Sequence, residues 1–217
     1  MKPVRIRFQT YEFGSLDIHV KSLRDKQQFL DSFGEAEGMG ISPSQWPLFG
    51  VVWESSEVLA EKMMEYDIKG KRILEIGCGM ALSSLLLNSR DADITATDYH
   101  PEVASYLADN VKLNNGNQIP FLRTGWENSD DHALGEFDVL IGADLLYEKQ
   151  HIKLLTDFIH RHSKPECEVI IVDPGRGHHA PFSKRMVELG YSHSQYKPQY
   201  IDPLRQAFKG QVLTYIR

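Results

Sequence analysis

The sequence predicts an α/β fold: a doubly wound, largely parallel sheet closed by an antiparallel hairpin, with an N-terminal β-hairpin and helical extension before it. Three observations predict it. Residues 72–82 read as an apolar strand (Ile73, Leu74, Ile76), a glycine turn (Gly77-Cys78-Gly79) and the start of a buried helix. From residue 70 onward, strand-like and helix-like segments alternate, the pattern of a parallel sheet covered by crossover helices. Ahead of that region, Val4, Ile6 and Phe8, then Leu16, Ile18 and Val20, alternate with polar residues at period two. A chain of 217 residues is long enough for one full core. The boundary is drawn as residues 1–52, an extension packed on the core, and 53–217, one globular unit.

In chain order, the two alternating runs flank Gly14-Ser15 and form a hairpin. Residues 24–33 fit a short helix, and the glycine-rich, acidic stretch 34–44 a loop or mobile lid. Trp46 to Trp53 is an aromatic lead into a helix whose start is marked by Ser55 or Ser56, with Glu57 in its first turn. Leu59, Met63 and Tyr66 supply the buried face. Trp46 and Phe49 read as core packing, whereas Trp53 is open between packing and a wall over a bound cation.

The core begins at residue 72. A helix over Met80–Leu87 precedes the strand Ile94–Asp98. Tyr99-His100-Pro101-Glu102 starts a helix reaching about Asn114. Pro120–Thr124 is a short strand, and Gly125-Trp126-Glu127 a loop. Phe137–Ala143 is continuously apolar, as a central parallel strand should be. A helix follows Asp144–Glu148 to about His162, then a strand over Glu168–Val172 and a helix over Pro181–Leu189. Tyr191–Tyr196 pairs with Gln211–Ile216 to close the sheet.

The ligand is read from the glycine turn. Glycine lacks a Cβ and tolerates positive φ, so a ligand can lie against bare backbone. A dinucleotide fingerprint needs a third small residue at position 82, and Leu82 stands there, which argues against a nicotinamide enzyme. The chain instead has Gly77, Gly79 and Ala81, with Glu75 two residues ahead. Asp98 ends the next strand, where a carboxylate meets a ribose diol in nucleotide-binding folds. Gly77, Gly79, Asp98, Trp126, Asp144 and Asp173 all follow carboxyl ends of strands, where open parallel sheets bind ligands.

The pattern Ile73-Leu74-Glu75-Ile76-Gly77-Cys78-Gly79 resembles the first motif of class I S-adenosylmethionine (SAM) methyltransferases, which have a Rossmann-like seven-stranded sheet. More narrowly, the chain resembles the protein-lysine methyltransferases called family sixteen. It shares their N-terminal hairpin, a tryptophan-led helix, and an acidic-x-x-aromatic motif after the fourth core strand, here Asp144 to Tyr147. Asp173-Pro174-Gly175-Arg176 is similar to the branch that methylates the beta subunit of electron transfer flavoprotein. The resemblance implies SAM as cofactor, S-adenosylhomocysteine as product and a protein substrate. It implies cofactor contacts at Trp53, Glu75, Gly77, Cys78, Gly79, Asp98, Tyr99, Trp126 and Ala143, and catalytic roles for Asp144 and Tyr147. Two positions depart from the family: Ala81 replaces a frequent glycine, which tightens the turn, and Gly125 replaces a common acidic residue, leaving the adenine edge without that contact.

Methyl transfer needs a neutral amine held in line with the departing sulfur. Asp144 is read as orienting that amine and Tyr147 as shaping its channel; an N-cap of a helix starting at Leu145 is the other role for Asp144. Arg176 is read as a solvated loop arginine, or as a contact for an acidic part of the substrate. His178-His179 reads as a loop or helix start, because adjacent histidines do not converge on a metal and no Cys/His cluster accompanies them. The rival readings are a SAM enzyme acting on RNA or a small molecule, and a non-catalytic SAM-fold binding protein. The formal charge of −6 gives no sign of a nucleic-acid coat. Only Cys78 and Cys167 are present, both in core elements, pointing to reduced thiols and a cytoplasmic setting. No membrane segment, signal peptide or metal is expected, and a monomer is.

Overall fold

The structure is a computed structural model and describes residues 4–25, 31, 34–127, 131–198 and 207–217. Its elements in order are β1 (Ile6–Phe13), β2 (Leu16–Leu23), the one-turn α1 (Glu35–Gly38), a 3₁₀ turn (Trp46–Gly50), α2 (Glu54–Met64), β3 (Arg72–Ile76) and α3 (Leu82–Ser89). There follow β4 (Asp93–Asp98), α4 (Val103–Leu113), β5 (Phe121–Arg123), β6 (Phe137–Ala143), α5 (His151–His162), β7 (Ser163–Asp173), α6 (His179–Glu188), β8 (Ser192–Tyr196) and β9 (Gln211–Ile216). The short helix expected over 24–33 falls largely outside the described residues. Among the described residues, no helix is long and apolar enough to cross a membrane.

The seven-stranded sheet has the order β5-β4-β3-β6-β7-β9-β8. The pairs from β5 to β7 are parallel, and β7–β9 and β9–β8 are antiparallel. The chain winds outward from β3 through β4 to β5, then returns to β6 on the other side of β3. The crevice between β3 and β6 is therefore the topological switch point where such sheets take ligands. Alternation along β3 divides the core. Ile73 joins Val139, Ile141, Ile170 and Val172 on the face covered by α2, α3 and α4. Leu74 and Ile76 join Leu140, Val169 and Ile171 on the face of α5 and α6.

β7 starts earlier than its apolar run suggests. Ser163 already pairs with Phe137, directly after α5, and the register shifts before Val139 meets Glu168. Pro165 lies in that irregular stretch, where a missing N–H breaks no regular ladder.

The N-terminal hairpin is a separate two-stranded sheet with a Gly14-Ser15 turn. Its edge is satisfied by a helix. On α4, Asn110 Oδ1 accepts from Lys21 N at 2.7 Å and its Nδ2 donates to Lys21 O at 3.2 Å. One turn on, Asn114 does the same for His19, at 2.8 and 2.7 Å. The two amides imitate a neighbouring strand. Asn110→Ala would strand a backbone N–H and C=O, with an expected cost of about 2 kcal/mol read by urea denaturation.

Three helix starts differ from expectation. α2 begins at Glu54, one residue after Trp53, whose carbonyl accepts from Ser56 N at 2.9 Å, and Ser55 is buried inside the helix. α3 begins at Leu82, and Ala81 takes the left-handed conformation (φ 57°). Alanine there does more than tighten the turn, since its Cβ carries about 1 kcal/mol of strain that glycine would lack. α5 begins only at His151, so Asp144 is not a helix cap.

Candidate active site

A cleft of about 1060 Å³ opens at the carboxyl ends of β3, β4 and β6. Its floor is the turn after β3. Gly77 (φ 58°) and Gly79 (φ 51°) are both left-handed, and a Cβ on Gly77 would come within 2.6 Å of Leu145. Above Gly79 lies the carbonyl of Phe49, 3.1 Å from where a Cβ would stand. The turn is pinned to β4: Cys78 N donates to Thr97 O at 2.9 Å and Gly79 N to Asp98 Oδ2 at 2.9 Å. The other Asp98 oxygen accepts from His100 N at 2.8 Å. Burial raises the Asp98 carboxyl, opposed by the N–H groups of His100, Gly79 and Tyr99. Three N–H bonds leave one of the roughly four lone-pair positions of the carboxylate, so Asp98 can still accept from a ligand hydroxyl.

Glu75 is elsewhere. It shares its side of β3 with Ile73 and is 3% exposed beneath α3. Its carboxylate accepts from Ser84 N at 2.9 Å and from Ser84 Oγ. It does not line the cleft; it anchors the first turn of α3. Burial pushes its carboxyl up to about 7, against the Ser84 hydrogen bonds, with Asp98 adding to the rise. Burial likewise raises the Cys78 thiol well above its ordinary value, so it is no ready nucleophile.

Aromatic groups form the walls. Trp53 lines the cleft, its indole N–H donating to Leu48 O at 3.0 Å. Phe49, expected only to pack, stacks on His100 with ring centroids 3.9 Å apart and also lines the cleft. Trp46, expected in the core, is half-buried and joins neither core cluster; its Nε1 donates to Ile41 O at 2.8 Å. His100 was not singled out by sequence, though it directly follows Asp98-Tyr99. It is buried, its Nε2 has no partner, and burial lowers its pKa to about 4. Tyr99 lines the cleft and donates to Met39 O at 2.7 Å, and Gln45 reaches Glu148 at 3.1 Å. The segment 34–44 read as a lid thus lines the cleft and is tied to Tyr99 through Met39 O, with Gln45 just beyond it bonded to Glu148.

At the far end, Trp126 meets His151 edge-on at 5.2 Å, and Tyr147 meets the same ring at 4.8 Å. Beside Trp126, Glu127 lines the cleft and fills the space a side chain at Gly125 would take: a Cβ there would lie 2.7 Å from Glu127 Oε1. A carboxylate therefore stands over Gly125 after all, supplied from two residues on. Ala143 ends β6 in the cleft wall. Asp144 follows in the left-handed region (φ 55°), its N–H held by Val172 O at 2.9 Å. That conformation turns its carboxylate toward Arg176, which is solvent-exposed, as read, but paired. Arg176 Nε and Nη2 donate to Asp144 Oδ1 and Oδ2, both at 2.7 Å. Tyr147 is 43% exposed at the rim. Burial, then Asp98, Glu148 and Asp144, push its phenol to about 12, so it stays protonated and is no base near neutral pH.

The structure thus gathers Trp53, Gly77, Cys78, Gly79, Asp98, Tyr99, Trp126, Ala143, Asp144 and Tyr147 around one cleft. His178 and His179 start α6, as read. Among the described residues no group of His, Cys, Asp or Glu is arranged for a metal. The cleft combines a bare backbone turn, aromatic faces and the carboxylates of Asp98, Glu127, Asp144 and Glu148. Such a lining suits a cationic guest with a diol.

The chain is similar to known methyltransferases. The protein N-lysine methyltransferase METTL21A of Danio rerio is 30% identical over 136 residues, 58% of this chain and 62% of that protein. The histidine protein methyltransferase 1 homolog of Dictyostelium discoideum is 32% identical over 117 residues, 51% of this chain. The chain therefore spans 62% and 38% of the lengths of these relatives. A crystal structure of a methyltransferase from Pyrococcus furiosus superposes with a TM-score of 0.58 at 22% identity, over 71% of this chain and 79% of that one, a likeness of fold. A family profile described as lysine methyltransferase matches residues 46–186, from the 3₁₀ turn through most of α6, and this chain belongs to that family.

Proposed function

We propose that the protein is a SAM-dependent methyltransferase that N-methylates lysine side chains of a protein substrate. The observation that carries this reading is the placement of Asp144 and Tyr147 at the end of β6, in the cleft floored by the Gly77–Gly79 turn. When bound, SAM supplies an electrophilic methyl group on a sulfonium centre. The residues present fit it: the glycines admit a close backbone approach, Asp98 has acceptor capacity for ribose hydroxyls, and Trp53 and Trp126 offer faces to a cation. Tyr99 and the Phe49–His100 stack flank the adenosine side, and Glu127 meets the adenine edge in place of residue 125. Asp144 accepts a hydrogen bond from the acceptor amine and aims its lone pair. Tyr147 and the His151 ring narrow the channel so that the amine approaches end-on. Residues 1–52 act as an extension packed on the catalytic unit, and the enzyme works as a cytoplasmic monomer.

The test is transfer of labelled methyl from SAM into a cell extract with the pure protein added. Label removed by protease and recovered as methyl-lysine is expected. Recovery as methyl-histidine, in RNA or in the small-molecule filtrate would overturn the acceptor class. Asp98→Ala is expected to weaken SAM binding about tenfold or more by calorimetry, since it removes a charged acceptor and frees Gly79 N–H. Unchanged affinity would remove the ribose role.

A further inference from the structure

The Asp144–Arg176 pair joins two segments 32 residues apart, and neither sequence motif accounts for it. Both guanidinium bonds are 2.7 Å and parallel, the bidentate form that holds a carboxylate in one orientation. The Asp144 side chain is 10% exposed and that of Arg176 44%, so the pair sits at the boundary of cleft and solvent. Each Asp144 oxygen spends one lone-pair direction on Arg176 and keeps another. The carboxylate can therefore accept one N–H bond from a guest without losing its partner.

We propose that Arg176 is a positioning residue for the transfer: by forking Asp144 it makes the acceptor-facing pair electrically neutral, so that the lysine nitrogen is received as an uncharged amine and not as an ammonium ion. The proposal rests on the lysine-methylation reading above. A lone carboxylate within hydrogen-bond reach favours the ammonium form, which has no lone pair to attack with. A neutral pair offers a hydrogen bond without that bias. The lysine's extra proton passes to water as it binds. The nitrogen lone pair then forms the N–CH₃ bond while the C–S bond breaks, its electron pair going to sulfur. The positive charge moves from sulfur to nitrogen, and the methylated nitrogen afterwards loses a proton to solvent.

Among the described residues, other titratable groups face the pair. Tyr147 and Glu148 follow on the same segment, Asp98 faces Tyr147 from the end of β4, and His151 lies against Tyr147 and Glu148 from α5. From β7, Asp173 faces both partners and is itself occupied by Gly175 N at 2.9 Å, with His179 Nδ1 at 3.8 Å. Burial pushes the Asp173 carboxyl up, which weakens it as a competitor for Arg176. Among the described residues, Arg176 is the cation whose hydrogen bonds end on Asp144.

The experiment measures the initial rate of labelled methyl transfer from saturating SAM into extract protein between pH 7 and 9.5, for the wild type, Arg176→Gln and Arg176→Lys. S-adenosylhomocysteine affinity, read by calorimetry, serves as the folding control. Arg176→Gln is expected to move the acid limb of the profile up by about one pH unit or more, with labelling at pH 7 down about tenfold and the rates converging at high pH. Arg176→Lys keeps the charge, so its limb should stay at the wild-type position even where its rate is lower. A loss by one factor at every pH, no loss at all, or an upward shift in the Lys variant would each overturn the proposal. The Lys variant decides the matter if the Gln variant fails to bind S-adenosylhomocysteine. Absence of protein label with the wild type is a different result: it removes the lysine reading itself, and this proposal with it.

Discussion

Asp144→Asn is expected to lower the rate of methyl transfer by about 100-fold or more while leaving S-adenosylhomocysteine affinity within about threefold. Asparagine is the informative substitution. Asp144 has φ 55°, a conformation asparagine tolerates and alanine resists by about 1 kcal/mol. The Asn variant therefore keeps the backbone and one acceptor oxygen while losing the charge that draws both Arg176 bonds. A misplaced nucleophile commonly costs about two orders of magnitude. The cofactor end, built from the Gly77–Gly79 turn and Asp98, lies on β3 and β4 and should not notice. The readout is turnover of labelled methyl at saturating SAM beside calorimetric binding. Full turnover in the Asn variant would remove Asp144 from the mechanism.

Glu75→Gln is expected to stabilise the fold above neutral pH and to be nearly neutral at pH 5. The Glu75 carboxyl is raised from 4.5 to about 7, chiefly by burial. Between those values the native state holds a proton that the unfolded chain has released. Stability therefore falls as pH rises through that window. By pH 8 the accumulated penalty is about 3 kcal/mol. Glutamine keeps an oxygen for Ser84 N and Oγ and never ionises, so the variant escapes the penalty. Urea denaturation of both proteins at pH 5 and pH 8 checks this. Equal stability differences at the two pH values would show that Glu75 does not titrate across this range.

Glu75 also marks where a local motif misleads. Its place two residues ahead of the glycine turn reads as part of a cofactor site. The alternation of β3 puts it on the side of Ile73, beneath α3, and the helix that receives it carries Ser84. Period-two counting along β3 could have found this, because Ile73 and Glu75 must share a face. Ala81 is a second case. The spacing of small residues is visible in sequence, but the left-handed φ of Ala81 follows from how α3 must leave the sheet.

The sequence by itself determined the class of fold, the glycine turn, the carboxyl-end residues from Gly77 to Tyr147, and the family. These are local properties: strand alternation, a turn that only small residues permit, and acidic or aromatic residues at fixed offsets from strand ends. Tertiary structure alone decided which of them act together and with what partner. Arg176 finds Asp144 only because β6 and β7 are adjacent and parallel, so that their following loops meet. Asn110 and Asn114 hold β2 because α4 passes beside a free strand edge, and Glu127 stands over Gly125 because the loop after β5 folds back. Hydrogen-bond and charge partners are chosen by distance in space, which a one-dimensional pattern does not carry.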